Sequence, residues 1–318
     1  MTTRRRTDLH DRAAGVLLGQ ACGDALGVPY EFGTPPAADE PARMTGGGLG
    51  DFAPGEWSDD TAMAVAVAEG LLAGATFAER LDAIASGFLT WFLDGPADIG
   101  VQTRHVLAAT ARRTEPGAPG VAHVMTEEAE GYAARHPHSA GNGALMRTSP
   151  VALAYLHDPA GCAQAARAVA ALTHADPLAV DSCVVWSESI RRVVGGGRLE
   201  LAWDVLAPDR SDIWAEFETL PLRPNGFTVA ALRAAWHAIT TTPVPEDPAL
   251  RGGHLVEALH AAVRLGDDTD TVAAIAGGLL GARWGAASVP PGWRRAVHGW
   301  PGRTADDLDE IVAMLVDR

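Results

Sequence analysis

Apolar and polar residues rarely alternate along this chain. Ala and Leu instead recur at helical spacing between Gly and Pro punctuation, which predicts many α-helices and little or no sheet. Thr76 with Glu79 has the spacing of a capping box ahead of Phe77, Leu81, Ile84, Phe88 and Phe92. Asp176 before Pro177 reads as an N-cap followed by a first helical residue. Thr304 with Asp307 opens a last helix through Leu308, Ile311 and Leu315. The segment from Met44 to Trp57 is a Gly-rich loop, Pro224-Asn225-Gly226 reads as a turn, and an apolar run predicts a helix over Ala144–Leu156. No composition shift marks a linker, so residues 1–318 read as one all-α domain.

Two segments carry glycine at every fourth position: Gly15, Gly19, Gly23 and Gly27, then Gly277, Gly281 and Gly285. Residues four apart share a helix face, so each stripe is smooth. Each helical glycine costs about 1 kcal/mol relative to alanine, and close backbone approach is the natural compensation. In a membrane such spacing would favour helix dimers, but Gln20, Asp24 and Arg283 point to a tightly packed soluble core.

Apolar residues make up 47% of the 318, enough for a sizeable core. Lys and Arg total 25 against 40 Asp and Glu, a net charge of −15, which disfavours nucleic acid and anionic membrane as partners. Cys22, Cys162 and Cys183 form neither a disulfide framework nor a thiolate metal motif, and fit a reducing cytoplasm. Arg4, Arg5 and Arg6 precede an apolar patch from Ala13 to Leu18, but the patch is too short for a signal core and is flanked by Asp8, Asp11, Gln20 and Asp24.

The chemistry lies in two acidic clusters. Asp59-Asp60-Thr61 runs on to Gly70-Leu71-Leu72, and Asp267-Asp268-Thr269 runs on to Gly278-Leu279-Leu280, with Ala66 matching Ala274 and Ala68 matching Ala276. Either cluster alone reads as helix capping. Together they hold more acids than caps need, and Asp267, Asp268 and Asp270 stand within four residues. If the two apolar helices pack side by side, their acidic ends converge. Oxygen-only donors suit Mg²⁺, Mn²⁺ or Ca²⁺, and the lack of His and Cys argues against zinc. Four carboxylates suffice for two ions roughly 3.5–4 Å apart.

Further motifs fall in a recognisable order: Gly19-Gln20-Ala21-Cys22-Gly23-Asp24-Ala25-Leu26-Gly27 with Pro29-Tyr30-Glu31-Phe32; Gly55-Glu56-Trp57-Ser58-Asp59-Asp60-Thr61; Gly95-Pro96-Ala97-Asp98-Ile99-Gly100; Gly141-Asn142-Gly143-Ala144-Leu145-Met146-Arg147; Thr173-His174; Gly226-Phe227 with Ala235-Trp236; and Gly266-Asp267-Asp268-Thr269-Asp270-Thr271 with Ile275, Gly277, Pro290 and Trp293. In this order they resemble the ADP-ribosylglycohydrolase family, which includes the dinitrogenase reductase-activating glycohydrolases. The resemblance implies a compact orthogonal helical bundle with a dinuclear Mg²⁺ or Mn²⁺ centre. By position it implies Ser58, Asp59, Asp60, Asp268, Asp270 and Thr271 as metal ligands. It implies Asn142, Gly143, Ala144, Met146 and His174 as ADP-ribose contacts, and Glu31, Asp98 and Asp60 as catalytic acids. The family usually has Thr at the place of Ser58 and Gly at the place of Asp267. Read without the family, the Gly-Asn-Gly segment is equally a plain helix cap, and a lone histidine such as His174 is more often structural.

The implied reaction is attack of water on the anomeric carbon of the distal ribose, with Glu31 or a non-bridging metal Asp as general base. No nucleophile triad or reactive-cysteine context is evident. The resemblance, which around Asp98-Ile99-Gly100 is to the bacterial branch of a family with arginine-specific members, implies arginine as the acceptor, and acids such as Asp98 and Asp267 would attract its guanidinium. Serine, nucleobase and small-molecule conjugates remain as alternatives. So do two other classes, a two-metal phosphoesterase and a non-catalytic ADP-ribose-binding protein. The expected partner is an ADP-ribosylated protein or small molecule.

Overall fold

The computed structural model describes residues 3–208, 210–223 and 225–318. The chain order is α1 (Thr3–Gly27), α2 (Asp59–Leu72), α3 (Phe77–Leu93), α4 (Val101–Ala111), α5 (Val121–Arg135), α6 (Ser149–Ala154), α7 (Pro159–Ala171), α8 (Pro177–Val194), α9 (Ser211–Thr219), α10 (Thr228–Thr241), α11 (Gly253–Arg264), α12 (Thr269–Trp284), α13 (Pro291–Ala296) and α14 (Ala305–Val316). Among the described residues the only sheet is an antiparallel pair, β1 (His298–Gly299) with β2 (Arg303–Thr304), in the register His298 to Thr304. The fold is therefore all-α, as the pattern predicts.

The helix starts follow local chemistry. Thr76 Oγ1 accepts from Glu79 N at 3.3 Å and Glu79 Oε2 accepts from Thr76 N at 2.9 Å, closing the predicted box on α3. Asp176 caps α8 through Leu178 N at 2.9 Å, and Thr304 and Asp307 close a second box on α14. The predicted helix over Ala144–Leu156 is divided instead. A 3₁₀ segment covers Asn142–Arg147 and α6 begins at Ser149, with Pro150 in its first turn, where proline sacrifices no intrahelical bond. At the predicted turn, Asn225 Oδ1 accepts from Phe227 N at 2.8 Å, while Pro224 lies outside the described residues.

The two glycine stripes meet each other. A Cβ on Gly15, Gly19 or Gly23 would run into the backbone of Gly281, Gly277 or Ala273 respectively, and one on Gly277 or Gly281 into that of Gly19 or Gly15. So α1 and α12 lie antiparallel with their backbones in contact, and they form the most extensive helix pair among the described residues. Gly285 ends α12 at φ +81° and continues that stripe, with its backbone against Gly15 and the space of its missing Cβ taken by the Asp11 carboxylate of α1. The acid-bearing helices α2 and α12 therefore do not pair along their length. α2 lies on α3, and α12 lies on α1. A single hydrophobic core runs from Leu9 to Leu315 around this pair. All three cysteines are buried and free. No helix among the described residues is long and apolar enough to cross a membrane.

Candidate metal centre and active site

Because α1 and α12 are antiparallel, the C-terminal end of α1 lies beside the N-terminal end of α12. Asp24, three residues before that end, is fully buried. Its Oδ1 accepts from Ser58 N at 2.8 Å and lies 2.9 Å from Ser58 Oγ, and its Oδ2 accepts from Thr61 N at 2.9 Å. Asp24 thus caps α2 from another helix and draws the acidic start of α2 against α1. The residues at the cap positions themselves, Ser58 for α2 and Asp268 for α12, make no capping bond with their own side chains. The simple capping reading of the clusters fails on that point.

Two groups of carboxylates result. Asp24, Asp60 and Asp270 bring one oxygen each within 4.8 Å of one another, and Glu31, Asp268 and Asp270 do the same. Asp270 belongs to both. Helix position explains the pairing: Asp60 and Asp270 are each the second residue of their helix, and Ser58 and Asp268 are each the cap. The structural equivalence is thus Ser58-Asp59-Asp60 with Asp268-Thr269-Asp270, offset from the Asp-Asp-Thr match in the sequence. Ser58 Oγ lies 3.0 Å from Asp60 Oδ2, and Thr271 N donates to Asp270 Oδ1 at 2.9 Å. Asp59 stands outside both groups, half-buried beside Asp98, whose Oδ1 accepts from Ile99 N at 2.8 Å.

Burial raises every acid of the two groups, and repulsion from neighbouring carboxylates adds to it at Glu31, Asp60 and Asp270. Burial first, then Asp98, Asp268, Asp59 and Asp24, push Glu31 up to about 9. Burial lifts Asp24 to about 6 despite its hydrogen bonds from Thr61 and Ser58. Asp59, Asp60 and Asp270 are held well above the usual carboxylate range by burial and then by neighbouring carboxylates. Burial also raises Asp268, against the hydrogen bond from Asn142. Asp60 Oδ1 is buried without a hydrogen-bond partner among the described residues. An orphaned carboxylate oxygen inside an all-oxygen donor set fits a hard divalent cation, which neutralises the crowding.

A cavity of about 440 Å³ opens over the outer group, with Glu31, Asp59, Asp98, Asp268 and Thr271 at its acidic end. The Gly-Asn-Gly loop forms the facing wall. Asn142 Nδ2 donates to Asp268 Oδ2 at 2.7 Å, which joins that loop to the acids. Gln20, one turn before Asp24 on α1, donates to Met146 O at 2.9 Å and Asp60 O at 3.2 Å, holding loop and α2 together. His174 fills the space that the glycines leave. A Cβ at Gly141 would sit 2.9 Å from its Nε2, and one at Gly143 would sit 3.0 Å from its Cε1. Arg147, buried with its guanidinium 4.3 Å above the Phe88 ring, donates to Thr173 Oγ1 at 2.8 Å. Thr173 Oγ1 lies 2.7 Å from His174 Nδ1. Arg147 occupies one lone pair of Thr173 Oγ1, the direction of the Thr173–Nδ1 hydrogen bond follows the ring tautomer, and Nε2 faces the loop. Burial and then Arg147 push the His174 pKa down to about 3, so the ring is neutral.

A sequence model described as ADP-ribosylglycohydrolase matches residues 5–318. The chain belongs to the ADP-ribosylglycohydrolase family. It is 31% identical to the ADP-ribosyl-[dinitrogen reductase] glycohydrolase of Rhodospirillum rubrum, over 90% of each chain. It is 28% identical to the ADP-ribosylarginine hydrolase Tri1 of Pseudomonas putida, over 97% of this chain and 78% of the relative. A solved structure titled ADP-ribosylglycohydrolase-related protein complex superposes with a TM-score of 0.73 at 28% identity, covering 98% of this chain and 99% of that one. The family's reaction class is hydrolysis of ADP-ribose conjugates.

In this ADP-ribosylglycohydrolase the cavity gathers Glu31, Asp59, Asp98, Asn142, Gly143, Met146, His174, Asp268 and Thr271 of the residues expected from the sequence. Asp60 and Asp270 lie buried beneath it. Ala144 is fully buried behind the loop and does not reach the cavity. Asp267 also departs from expectation. It turns away to accept from Arg223 Nε at 3.1 Å and does not line the cavity. Its φ of +54° explains why glycine suits that place. Its carbonyl accepts from Phe32 N at 2.7 Å, and Phe32 is itself at φ +48°, so two strained residues tie Glu31 to the second acidic cluster. Asp24, Gln102 and Tyr132 belong to the site in addition to the residues expected there. Gln102 donates to Thr173 O at 2.9 Å, and Tyr132 closes the end of the cavity away from the acids, stacked on His136.

Proposed function

We propose that this chain hydrolyses the glycosidic bond between ADP-ribose and the guanidino group of a modified arginine, with two divalent cations, Mg²⁺ or Mn²⁺, as cofactors. The observation that carries the metal reading is the pair of carboxylate groups sharing Asp270 at the floor of the cavity. Asp24, Asp60 and Asp270 would hold one ion, and Glu31, Asp268 and Asp270 the other, with Ser58, Asp59 and Thr271 at the edges of the set. When bound, the cations neutralise the cluster and supply Lewis acidity at the distal ribose.

The chain's own residues do the rest. With Asn142 N committed to Gly226 O, the Gly-Asn-Gly loop offers the Gly143 N–H to the pyrophosphate, and the neutral His174 ring meets the ligand through Nε2 without adding charge. Asn142, bonded to Asp268, keeps the ligand-binding wall in register with the acids. With cations offsetting the repulsion that keeps Glu31 protonated, its carboxylate would take the proton of the attacking water as the water oxygen bonds to the anomeric carbon. The carbon–nitrogen bond breaks with its electron pair going to the guanidino nitrogen, which then receives that proton. Asp98 faces the same carbon from the other loop and stabilises the oxocarbenium-like charge.

The arginine acceptor is supported by the relatives' names and by the acidity of the cavity mouth. Matched arginine- and serine-linked ADP-ribosyl peptides test it. Release of ADP-ribose with a higher kcat/KM on the arginine peptide supports the reading, and preference for serine, or cleavage of neither, overturns it.

A further inference from the structure

A second cavity, of about 240 Å³, abuts the first and shares Asp59 and Asp98 with it. Its chemistry differs. Aromatic rings of Phe52, Trp57, Trp91 and Trp300 line it, together with the carboxylates of Glu56, Asp94, Asp59 and Asp98, and among the described residues no Lys, Arg or His lines it. Trp57 and Trp91 are buried, each about 2% exposed, so their rings are fixed walls rather than mobile surface. Trp300 is anchored at both ends: its carbonyl accepts from Trp57 Nε1 at 3.3 Å, and its Nε1 donates to Asp94 Oδ2 at 3.0 Å. Glu56 is oriented by Ala53 N, which donates to its Oε2 at 2.8 Å. Each of these two acids therefore keeps its other oxygen for a ligand.

Both cavities carry four carboxylates and no Lys or Arg, but only the larger one has the Gly-Asn-Gly loop and His174 to hydrogen-bond a pyrophosphate, so the ADP-ribose moiety belongs there. Aromatic faces combined with carboxylates match a planar, delocalised cation, which stacks on rings and pairs with carboxylates along its edge. A neutral hydroxyl acceptor would leave the acids unanswered. We infer that this second cavity is the acceptor subsite of the enzyme and that it takes the guanidinium head of an arginine side chain, with the glycosidic bond lying over the Asp59–Asp98 partition. The inference rests on the arginine reading above for its occupant and adds the residues that select it, Glu56, Asp94 and Trp300.

Agmatine, a guanidinium on an aliphatic stem that lacks the backbone carboxylate and ends in an ammonium, is the probe. Titrated into the full-length protein, it quenches tryptophan fluorescence saturably. The double variant Glu56→Gln, Asp94→Asn keeps the hydrogen bonds to Ala53 and Trp300 but removes both charges. Its agmatine affinity falls by about tenfold or more, as loss of charge-assisted hydrogen bonds requires, while its ADP-ribose affinity by calorimetry stays that of the wild type. On arginine-linked peptide its KM rises by a similar factor, and on a serine-linked peptide kcat/KM changes far less. A matching thermal melt confirms that the variant is folded. Absence of saturable agmatine quenching in the wild type overturns the subsite, as does equal agmatine affinity in wild type and variant. Equal loss on both peptides also overturns it. If agmatine binds through these acids yet no arginine conjugate is cleaved, the catalytic reading fails and the guanidinium subsite stands. If arginine conjugates are cleaved and the variant is unaffected, the subsite fails and the catalytic reading stands.

Discussion

Asp270→Asn separates a metal-holding carboxylate from a structural one, because the two roles give opposite signs. Asp270 has four acidic neighbours in the two groups, with paired oxygens no more than 4.8 Å apart. At that distance and an effective dielectric of about 20, each ionised pair repels by about 3.5 kcal/mol. Without a cation the cluster relieves most of this by retaining protons, but the proton uptake and burial still destabilise the fold. The amide keeps an oxygen for the bond from Thr271 N and removes the charge. A gain of roughly 2 kcal/mol is expected in chelator at pH 8, within the range for relieving a poorly satisfied buried polar group. For 318 residues, an unfolding entropy of about 2.1 cal/mol/K per residue converts this to a Tm rise of about 3 °C. With Mg²⁺ at a hundred times its Kd, the wild type gains about 2.7 kcal/mol, or about 4 °C, and the variant gains little because both ions lose a ligand. Scanning calorimetry in chelator and in Mg²⁺ gives all four values. A variant less stable than the wild type by the same amount in both buffers would refute the reasoning and leave Asp270 as a structural acceptor only.

Three further outcomes follow from the same geometry. Glu31→Gln lowers kcat by about 10²–10⁴ with ADP-ribose affinity nearly intact, as loss of a general base requires; unchanged kcat in stopped assays moves the role to Asp98 or a metal-side Asp. In chelator, stability declines as pH rises from about 4 to 9. Asp24 (to about 6) and Glu31 (to about 9) have folded pKa values above their unfolded ones, so their contribution is full below the unfolded values and is lost as pH climbs through the folded ones. Mg²⁺ flattens that slope, and a Tm independent of pH in chelator contradicts it. Gly281→Ala drives a Cβ into the Gly15 carbonyl and costs at least about 1–3 kcal/mol despite alanine's better helix propensity; an unshifted urea midpoint would mean that the α1–α12 contact is looser than described.

Much of the fold is legible in the sequence because its signals are local. The Thr76–Glu79 and Thr304–Asp307 boxes need only a spacing of three, and both form. The glycine stripes announce a backbone contact, and α1 and α12 make it. They do not say with which partner, and the Asp-Asp-Thr repeat suggests the wrong pairing of α2 with α12. Helices pack by surface shape, and two smooth stripes fit each other better than either fits α2. The Asp-Asp-Thr repeat also hides the true correspondence, since helix register, not letter identity, places Asp60 opposite Asp270. Asp24 stands in plain view as the one acid inside an apolar helix segment, where by itself it marks only solubility. Its role depends on Ser58 and Thr61, 34 and 37 residues away. The backbone of Asp267 at φ +54° and the division of the run over 144–156 are conformational facts that the side chains do not encode, apart from Pro150. The second cavity takes much of its lining from the motifs over 55–61 and 95–100, but neither motif says that Trp91 and Trp300 close them into a pocket.

Metal-dependent release of ADP-ribose from arginine is tested by a time course of free ADP-ribose from an ADP-ribosyl-arginine peptide, run with Mg²⁺ or Mn²⁺, with chelator, and with metal restored after chelation. Turnover is expected in the first, none in the second and recovery in the third. Turnover that persists undiminished in chelator, or no release of ADP-ribose with either metal, would contradict it.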